Sequence, residues 1–407
     1  MQTCRLCGLS QLTEILDLGF APPSNALLSE DDLYNGEVHY PLVLLFCQDC
    51  KLIQTRDFHS SGALFTPDYP YLSSTSTTWL EHSQNLVENL VNEFNLGPKS
   101  LVAEIASNDG YLLEKLVKKG VPNYGIEPTR LAAEISLKNG HNVYNCFLNT
   151  KTASKIRMEQ GAADIVIANN VFAHVPDLVD FTKAAKLLLS DDGVLVIEVQ
   201  YFAELLAKNL FDTVYHEHYS YFTITSMKNL LSRFDLSIFR IDPITTHGGS
   251  IRVYARRITS NPSLSIPNFF DPRWEEKATN LSGLMSFQSS VNAIKKQIKE
   301  FFAEQARGGK IIAGVGAAAK GNTLINFVGL GVDEIRFVFD SAKSKQGKFL
   351  PGSHIPIYPM RPVDDLLPVD LFVILPWNIS RELANEIRES GFNKQPIYKL
   401  LPKIEMV

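Results

Sequence analysis

The chain is short of cysteine, carries no basic excess, and has no apolar run of membrane-spanning length. Each shortage excludes something. Five cysteines in 407 residues cannot make a disulfide-stapled scaffold. A formal net charge of −5, without long blocks of one sign, argues against a nucleic-acid partner, which calls for a basic face. The longest apolar runs, such as IRFVFD and LFVILPW, are of strand length, so no membrane partner is expected. MQTCRLCGLS lacks the apolar core of a secretory signal, and a cytoplasmic location is the expectation. Internal repeats beyond two α/β units and low-complexity segments are also missing. What is left, 45% hydrophobic and 20% charged, reads as a globular chain too long for one ordinary core.

The few cysteines are placed informatively. Cys4 and Cys7 form one C-x2-C, Cys47 and Cys50 a second, and Cys146 stands apart. In a reducing compartment two such knuckles favour a tetrahedral zinc thiolate over disulfides. Four protein ligands leave no open position, so the expected zinc is structural. The 39 residues between Cys7 and Cys47 must loop out and return.

After a Pro/Ser/Thr/Tyr-rich connection, TTWLEHSQNLVENLVNEF has apolar residues at helical spacing. Strands and helices then alternate from KSLVAEIASNDG to GVLVIEVQ, which implies a doubly wound parallel sheet. Helix SMKNLLSRF, strand LSIFRIDP and a hairpin-like HGGSIRVYARR follow. The Pro/Ser-rich ITSNPSLSIPNFFDP marks a boundary, and one long helix is expected from Trp274 to Ala306. KIIAGVGAAAKGN opens a third unit, again strand, Gly-rich turn and helix. The expected domains are 1–70, 71–262 and 263–407.

Ligands of open α/β sheets sit beyond the carboxyl ends of the strands. There the middle unit carries Glu104, Ala106, Ser107, Asn108, Asp109 and Gly110 in EIASNDG. Glu127 ends the next strand, where a carboxylate suits two ribose hydroxyls. Dinucleotides use the same layout, but the turn is acidic and lacks G-x-G-x-x-G, which disfavours pyrophosphate. A cationic nucleoside such as S-adenosylmethionine fits better. Asn169, Asn170 and His174, then Glu198 and Gln200, put polar residues at the ends of two further strands. His216-Glu217-His218, inside YHEHYSYF, reads locally as a metal site, a proton-transfer site or an aromatic strand with polar residues. Strand alternation would set Tyr215 and Glu217 on one face and His218 on the other. In the third unit GVGAAAKGN resembles a dinucleotide fingerprint, with Ala319 in place of its last glycine and Asp340 at the next strand end.

The order C-x2-C…C-x2-C, EIASNDG, NNVFAHV, YHEHYSYF, HGGSIRVYA and GAAAKGN resembles the S-adenosylmethionine-dependent C-methyltransferases of nucleotide-linked deoxysugars, across essentially the whole chain. The resemblance implies an α/β chain with a small N-terminal zinc-binding domain, a Rossmann-like class I methyltransferase core and a C-terminal Rossmann-like domain. It implies methyl transfer to C3 of a 4-keto-6-deoxyhexose carried on a nucleoside diphosphate. A ketone is needed because a sugar C–H is too weak an acid unless its carbanion delocalises as an enolate, which a histidine near neutrality can then generate. By match to the family's motifs, His218 is the base with Tyr215 and Glu217 around it. Asn170, His174 and Tyr69 fall at further active-site positions, while a packed loop tyrosine and a strand-capping histidine are the plainer readings of Tyr69 and His174. His216 is then structural. Many methyltransferases carry glycine at the Ala106 position, and here an ordinary backbone is expected with cofactor binding retained. The third domain becomes a clamp for the nucleotide, through Gly316, Ala318, Lys320 and Asp340, with Trp377 and Asn378 at a neighbouring strand end. His247, Ser250 and Arg252 of HGGSIR are alternative phosphate or sugar contacts. The chain is expected to be a monomer or small homo-oligomer. O- or N-methylation of a nucleotide sugar, and NAD-dependent oxidoreduction or epimerisation, are the competing activities.

Overall fold

The strand–helix alternation that starts at Val102 folds into the expected doubly wound sheet. In the computed structural model, residues 2–57, 72, 74, 77–244, 248–258, 270–360 and 368–407 are described. Seven strands lie in the order Leu236–Ile244, Ser250–Arg257, Leu189–Gln200, Ala163–Asn169, Val102–Ile105, Asn123–Ile126 and Val143–Tyr144. The last five are mutually parallel, and Ser250–Arg257 runs antiparallel to both its neighbours. Strand order reverses between Val102–Ile105 and Ala163–Asn169, which fixes the ligand crevice at their carboxyl ends. These strands read as unbroken apolar runs because helices cover both faces. Helix Thr77–Glu93 covers one of them, burying Leu86, Val87 and Leu90 at the spacing its sequence announces.

The C-terminal sheet has the order Ile357–Tyr358, Phe337–Phe339, Ile312–Val315, Leu371–Ile374, Ile397–Lys399 and Glu405–Met406, parallel except for the last strand. The single helix expected from Trp274 to Ala306 is instead three, Pro272–Thr279, Leu281–Leu284 and Phe287–Arg307. Asn280 takes extended backbone between the first two, and its amide donates back to the Glu276 carbonyl at 2.8 Å. The break lets the first helix dock where Glu275 accepts from Thr225 N at 2.7 Å, Ile224 N at 3.3 Å and Tyr201 Oη at 2.7 Å. A remote carboxylate thus caps helix Ile224–Ser232.

The N-terminal sheet is antiparallel: Leu12–Ala21, Tyr40–Cys47, Ile53–Thr55, and then Ser220–Tyr221 from YHEHYSYF. The segment between the knuckles does leave and return, but it leans on the C-terminal domain on the way. Leu28 pairs with Phe349, and Ser24 Oγ meets Thr323 Oγ1 at 3.2 Å. Among the described residues no helix is long and apolar enough to cross a membrane. Tyr69, His247, and most of the connection before Thr77 and of the boundary segment after Arg257 lie outside the described residues.

Candidate active site

Each C-x2-C closes as a tight turn. Gly8 N donates to the Cys4 carbonyl at 2.8 Å and Lys51 N to the Cys47 carbonyl at 3.0 Å, with Gly8 and Lys51 both in left-handed backbone. The two turns face each other, with Cys4 Sγ 3.4 Å from Cys50 Sγ and Cys7 Sγ 3.5 Å from Cys47 Sγ. All four sulfurs fall within 4.8 Å of one another. A tetrahedral zinc thiolate sets sulfurs about 3.8 Å apart, so the four residues fit zinc as it stands. Cys4 is held down to about 5 by the Cys50 thiol beside it, which favours the thiolate a metal needs. The set is closed, so this metal organises structure.

At the switch point the acidic turn departs from expectation in one respect. Ala106 has φ +57°, in the left-handed region rather than the ordinary backbone expected. Its amide and that of Ser107 turn back onto the Ile126 carbonyl at 2.8 and 3.3 Å, which forces the reversal. Asn108 and Gly110 are left-handed too. Glu127 accepts from Asn108 N at 2.9 Å and from Thr129 N at 2.8 Å, so it binds the turn to the second strand. Glu104, Asp109 and Glu127 are all buried. Burial, then the charges of Glu127 and Asp109, push the Glu104 carboxyl well above its usual range. Glu104 Oε2, Asp109 Oδ1, Ser107 Oγ and Asn169 Oδ1 are buried without a hydrogen-bond partner among the described residues. A cluster of unpaired acceptors with crowded negative charge fits a cationic, hydroxyl-bearing ligand.

YHEHYSYF is not a regular strand. His218 N bonds to the Tyr215 carbonyl at 3.0 Å, closing a turn, and only Ser220–Tyr221 is extended in a sheet. The turn defeats alternation and puts Tyr215 and His218 together. Tyr215 Oη lies 2.7 Å from His218 Nε2, with ring centroids 4.0 Å apart. His174 packs edge-on to His218 at 4.7 Å, and its Nδ1 donates to the Glu217 carbonyl at 2.9 Å. Asn25 Nδ2 donates to both Glu217 carboxylate oxygens at 2.8 Å. His216 donates to the Tyr40 carbonyl at 3.3 Å, the structural role expected of it. Burial drives His174 and His216 down to about 4, so both are neutral near pH 7. Asn170, left-handed at the end of its strand, donates its amide to the Glu198 carbonyl at 2.8 Å.

The expected C-terminal contacts divide. Trp377 Nε1 donates to Asp212 Oδ2 at 2.7 Å, Lys320 Nζ to Asn378 Oδ1 at 3.4 Å, and the Lys320 ammonium lies 5.1 Å from the Trp377 ring. Burial raises the Asp212 carboxyl to about 6, against the pull of Lys320, and lowers Lys320 to about 8 against the pull of Asp212. Asp212 stands three residues before Tyr215, so this cluster is attached to the Tyr215–His218 turn. Gly248 joins it, since a Cβ there would lie 2.1 Å from Trp377 Cη2. Gly316 needs its missing Cβ because Pro376 would be 2.6 Å away, which is domain packing rather than room for a pyrophosphate. Ala318 caps helix Ala319–Val328. Asp340 is not open to a ligand: it accepts from Ala317 N and Ala342 N, both at 2.8 Å, and from Lys345 Nζ at 3.3 Å. Arg252 is likewise taken. It pairs with buried Glu198 at 2.9 Å, beside His82, whose Nε2 is 2.9 Å from the same carboxylate. Burial opposes ionisation of Glu198, but His82 and Arg252 hold it below its usual range. Ser250 is buried on the same strand, across from Gln200.

Asn25, His82 and Asp212 are the residues that sequence reading missed. Asp212 lies just before YHEH and was within reach; Asn25 and His82 carry no local signal, because only the tertiary fold brings them in.

Comparison with known proteins gives three family models along the chain. A zinc binding domain matches residues 4–65, a methyltransferase domain residues 79–240, and the C-methyltransferase C-terminal domain residues 245–395. C-methyltransferase NovU of Streptomyces niveus is 31% identical over 389 residues, covering 95% of this chain and 92% of the relative. Among solved structures, magnesium protoporphyrin IX methyltransferase of Synechocystis PCC 6803 with bound SAH is 17% identical, covering 44% of this chain and 83% of its own at a TM-score of 0.35. The PH0226 protein of Pyrococcus horikoshii OT3 is 12% identical, covering 49% and 100% at 0.36.

Proposed function

The chain belongs to the S-adenosylmethionine-dependent C-methyltransferases, and from that premise we propose that its acceptor is a nucleoside-diphosphate-linked 4-keto-6-deoxysugar methylated at C3. Its cofactors are S-adenosyl-L-methionine and structural zinc. When bound, S-adenosyl-L-methionine supplies an electrophilic methyl group. Glu104, Asp109 and Asn169 would hold its amino-acid end at the acceptors left unpaired around the switch point, and Glu127, whose carboxylate already accepts from Asn108 N and Thr129 N, would take its ribose.

The observation that carries the reading is the Tyr215–His218 turn, with Tyr215 Oη 2.7 Å from His218 Nε2. In this reading His218 removes the C3 proton, Tyr215 holds the imidazole on its Nε2 side, and the electron pair moves onto the C4 oxygen. The enolate carbon would then form the new C–C bond to the methyl group as the sulfur–methyl bond breaks, with S-adenosylhomocysteine as the leaving product. His174, neutral and packed against His218, adds no competing cation. Asn170 would contact the sugar, and the cluster of Lys320, Trp377 and Asn378 would contact the nucleotide. The proposal includes a cytoplasmic enzyme, monomeric or a small homo-oligomer.

The test uses dTDP-, CDP- and GDP-linked 4-keto sugars with labelled S-adenosyl-L-methionine in D2O. One should gain a carbon-bound methyl and, with S-adenosylhomocysteine in place of the donor, exchange its C3 proton for deuterium. His218→Ala should stop both while leaving donor affinity nearly unchanged. A methyl on oxygen or nitrogen, or full exchange by His218→Ala, would overturn the reading.

A further inference from the structure

We infer that the zinc knuckle is the brace that sets the reactive turn, and that Arg5, inside the first knuckle, is its positioning residue. The inference rests on the role proposed for His218. The turn has little hold of its own: after His218 the chain makes a strand of two residues, too short to fix its register unaided. The partner strand is Ile53–Thr55, three residues beyond Cys50, which pairs with Ser220 and Tyr221. Thr55 N donates to the Tyr219 carbonyl at 3.1 Å.

Arg5 joins the knuckle to both strands. Its amide donates to Gln54 Oε1 at 2.9 Å and its NH1 to the Thr55 carbonyl at 3.1 Å. Its NH2 pairs with Asp57, and its guanidinium lies 5.1 Å from the centroid of the Tyr219 ring. Tyr219 is the residue next to His218. A planar fork that bonds a carbonyl and a carboxylate while lying over a ring is a task for arginine, which lysine cannot reproduce. The knuckles are gripped from the same side: Asn229 donates to the Cys50 carbonyl at 3.1 Å and Arg233 to the Leu6 carbonyl at 3.2 Å. The cysteine knuckle, Arg5, Tyr219 and His218 thus form one continuous line through the structure.

The experiment compares full-length, zinc-loaded Arg5→Ala, Arg5→Lys, Tyr219→Phe and Tyr219→Leu with the native protein. Arg5→Ala should keep four-cysteine zinc and donor affinity but lose kcat about ten- to a hundredfold, as misplacing a reacting group does. Amide hydrogen exchange should quicken at residues 218–221 and not at 104–127. Tyr219→Phe keeps the ring and should match the native protein, whereas Tyr219→Leu should follow Arg5→Ala. If Arg5→Ala does not accumulate as folded protein, Arg5→Lys and Tyr219→Leu carry the same comparison. Native kcat together with native exchange at 218–221 would overturn the brace. An active His218→Ala would overturn the base assignment instead, and the exchange measurement would still judge the brace.

Discussion

Ala106 is where a single residue says most about the donor site. The sequence announced a ligand turn at EIASNDG through its acidity and its place after a strand, and the structure puts the turn at the switch point. The backbone conformation was not legible, because a small residue at a turn does not report its own φ. At +57° an alanine carries roughly 1–2 kcal/mol of strain that glycine would not. Ala106→Gly removes that strain but loosens the unfolded chain by about 0.4–1 kcal/mol. The expected outcome is a protein between unchanged and about 1.6 kcal/mol more stable in denaturant, with donor binding intact by calorimetry. Ala106→Val should fail in both measurements, since a β-branched side chain tolerates that region worst. A destabilised glycine variant would mean that the methyl group makes a contact worth more than the strain.

The Tyr215–His218 turn is the element for which residue chemistry and backbone pattern disagreed. The doubly wound sheet followed from apolar runs alone, since strands buried on both faces must be apolar whatever their neighbours do. A turn held by remote partners has no such signature, and neither has the helix break at Asn280, which exists to dock Glu275 onto Ile224 and Thr225. His216 of the turn, and His174 packed against His218, give the site an acid limit. His174 and His216 sit at about 4 when folded, against an ordinary value of about 6.5. As pH falls from about 6.5 towards 4 the unfolded chain takes up protons that the folded one refuses. Stability is therefore full above that window and lost through it, by at most about 3 kcal/mol per histidine. His216→Gln keeps a donor for the Tyr40 carbonyl and removes one titration. Its midpoint of thermal unfolding should fall less between pH 6.5 and 4.5 than that of the native protein. An equal fall would take His216 out of the acid response.

At the scale of the whole molecule, the domain order was legible because each domain carries its own local motif, but their meeting point was not. The same dozen residues are gripped by the N-terminal domain through strand Ile53–Thr55 and Asn25, by the core through Ala173 and His174, and by the C-terminal domain through Trp377. Each grip joins residues remote in sequence, and no spacing rule reaches that far. The third domain is therefore coupled to the proposed catalytic turn by protein contacts, independently of any nucleotide it binds. Trp377 Nε1 to Asp212 is the bond to test, because Asp212 is fully buried and an unpaired carboxylate there has no water to turn to. Trp377→Phe removes the donor and keeps a ring beside Lys320, while Asp212→Asn keeps an acceptor and removes the charge. A double-mutant cycle on unfolding free energy should give a coupling of about 1 kcal/mol, the excess of a hydrogen bond to a charged group over one to a neutral amide. Each single variant should lower kcat more than it changes donor affinity, because the bond acts on the turn at residues 211–218 and not on the donor turn at 104–110. Additive stabilities with unaltered kcat would mean that the C-terminal domain holds its ligand without steering the reaction.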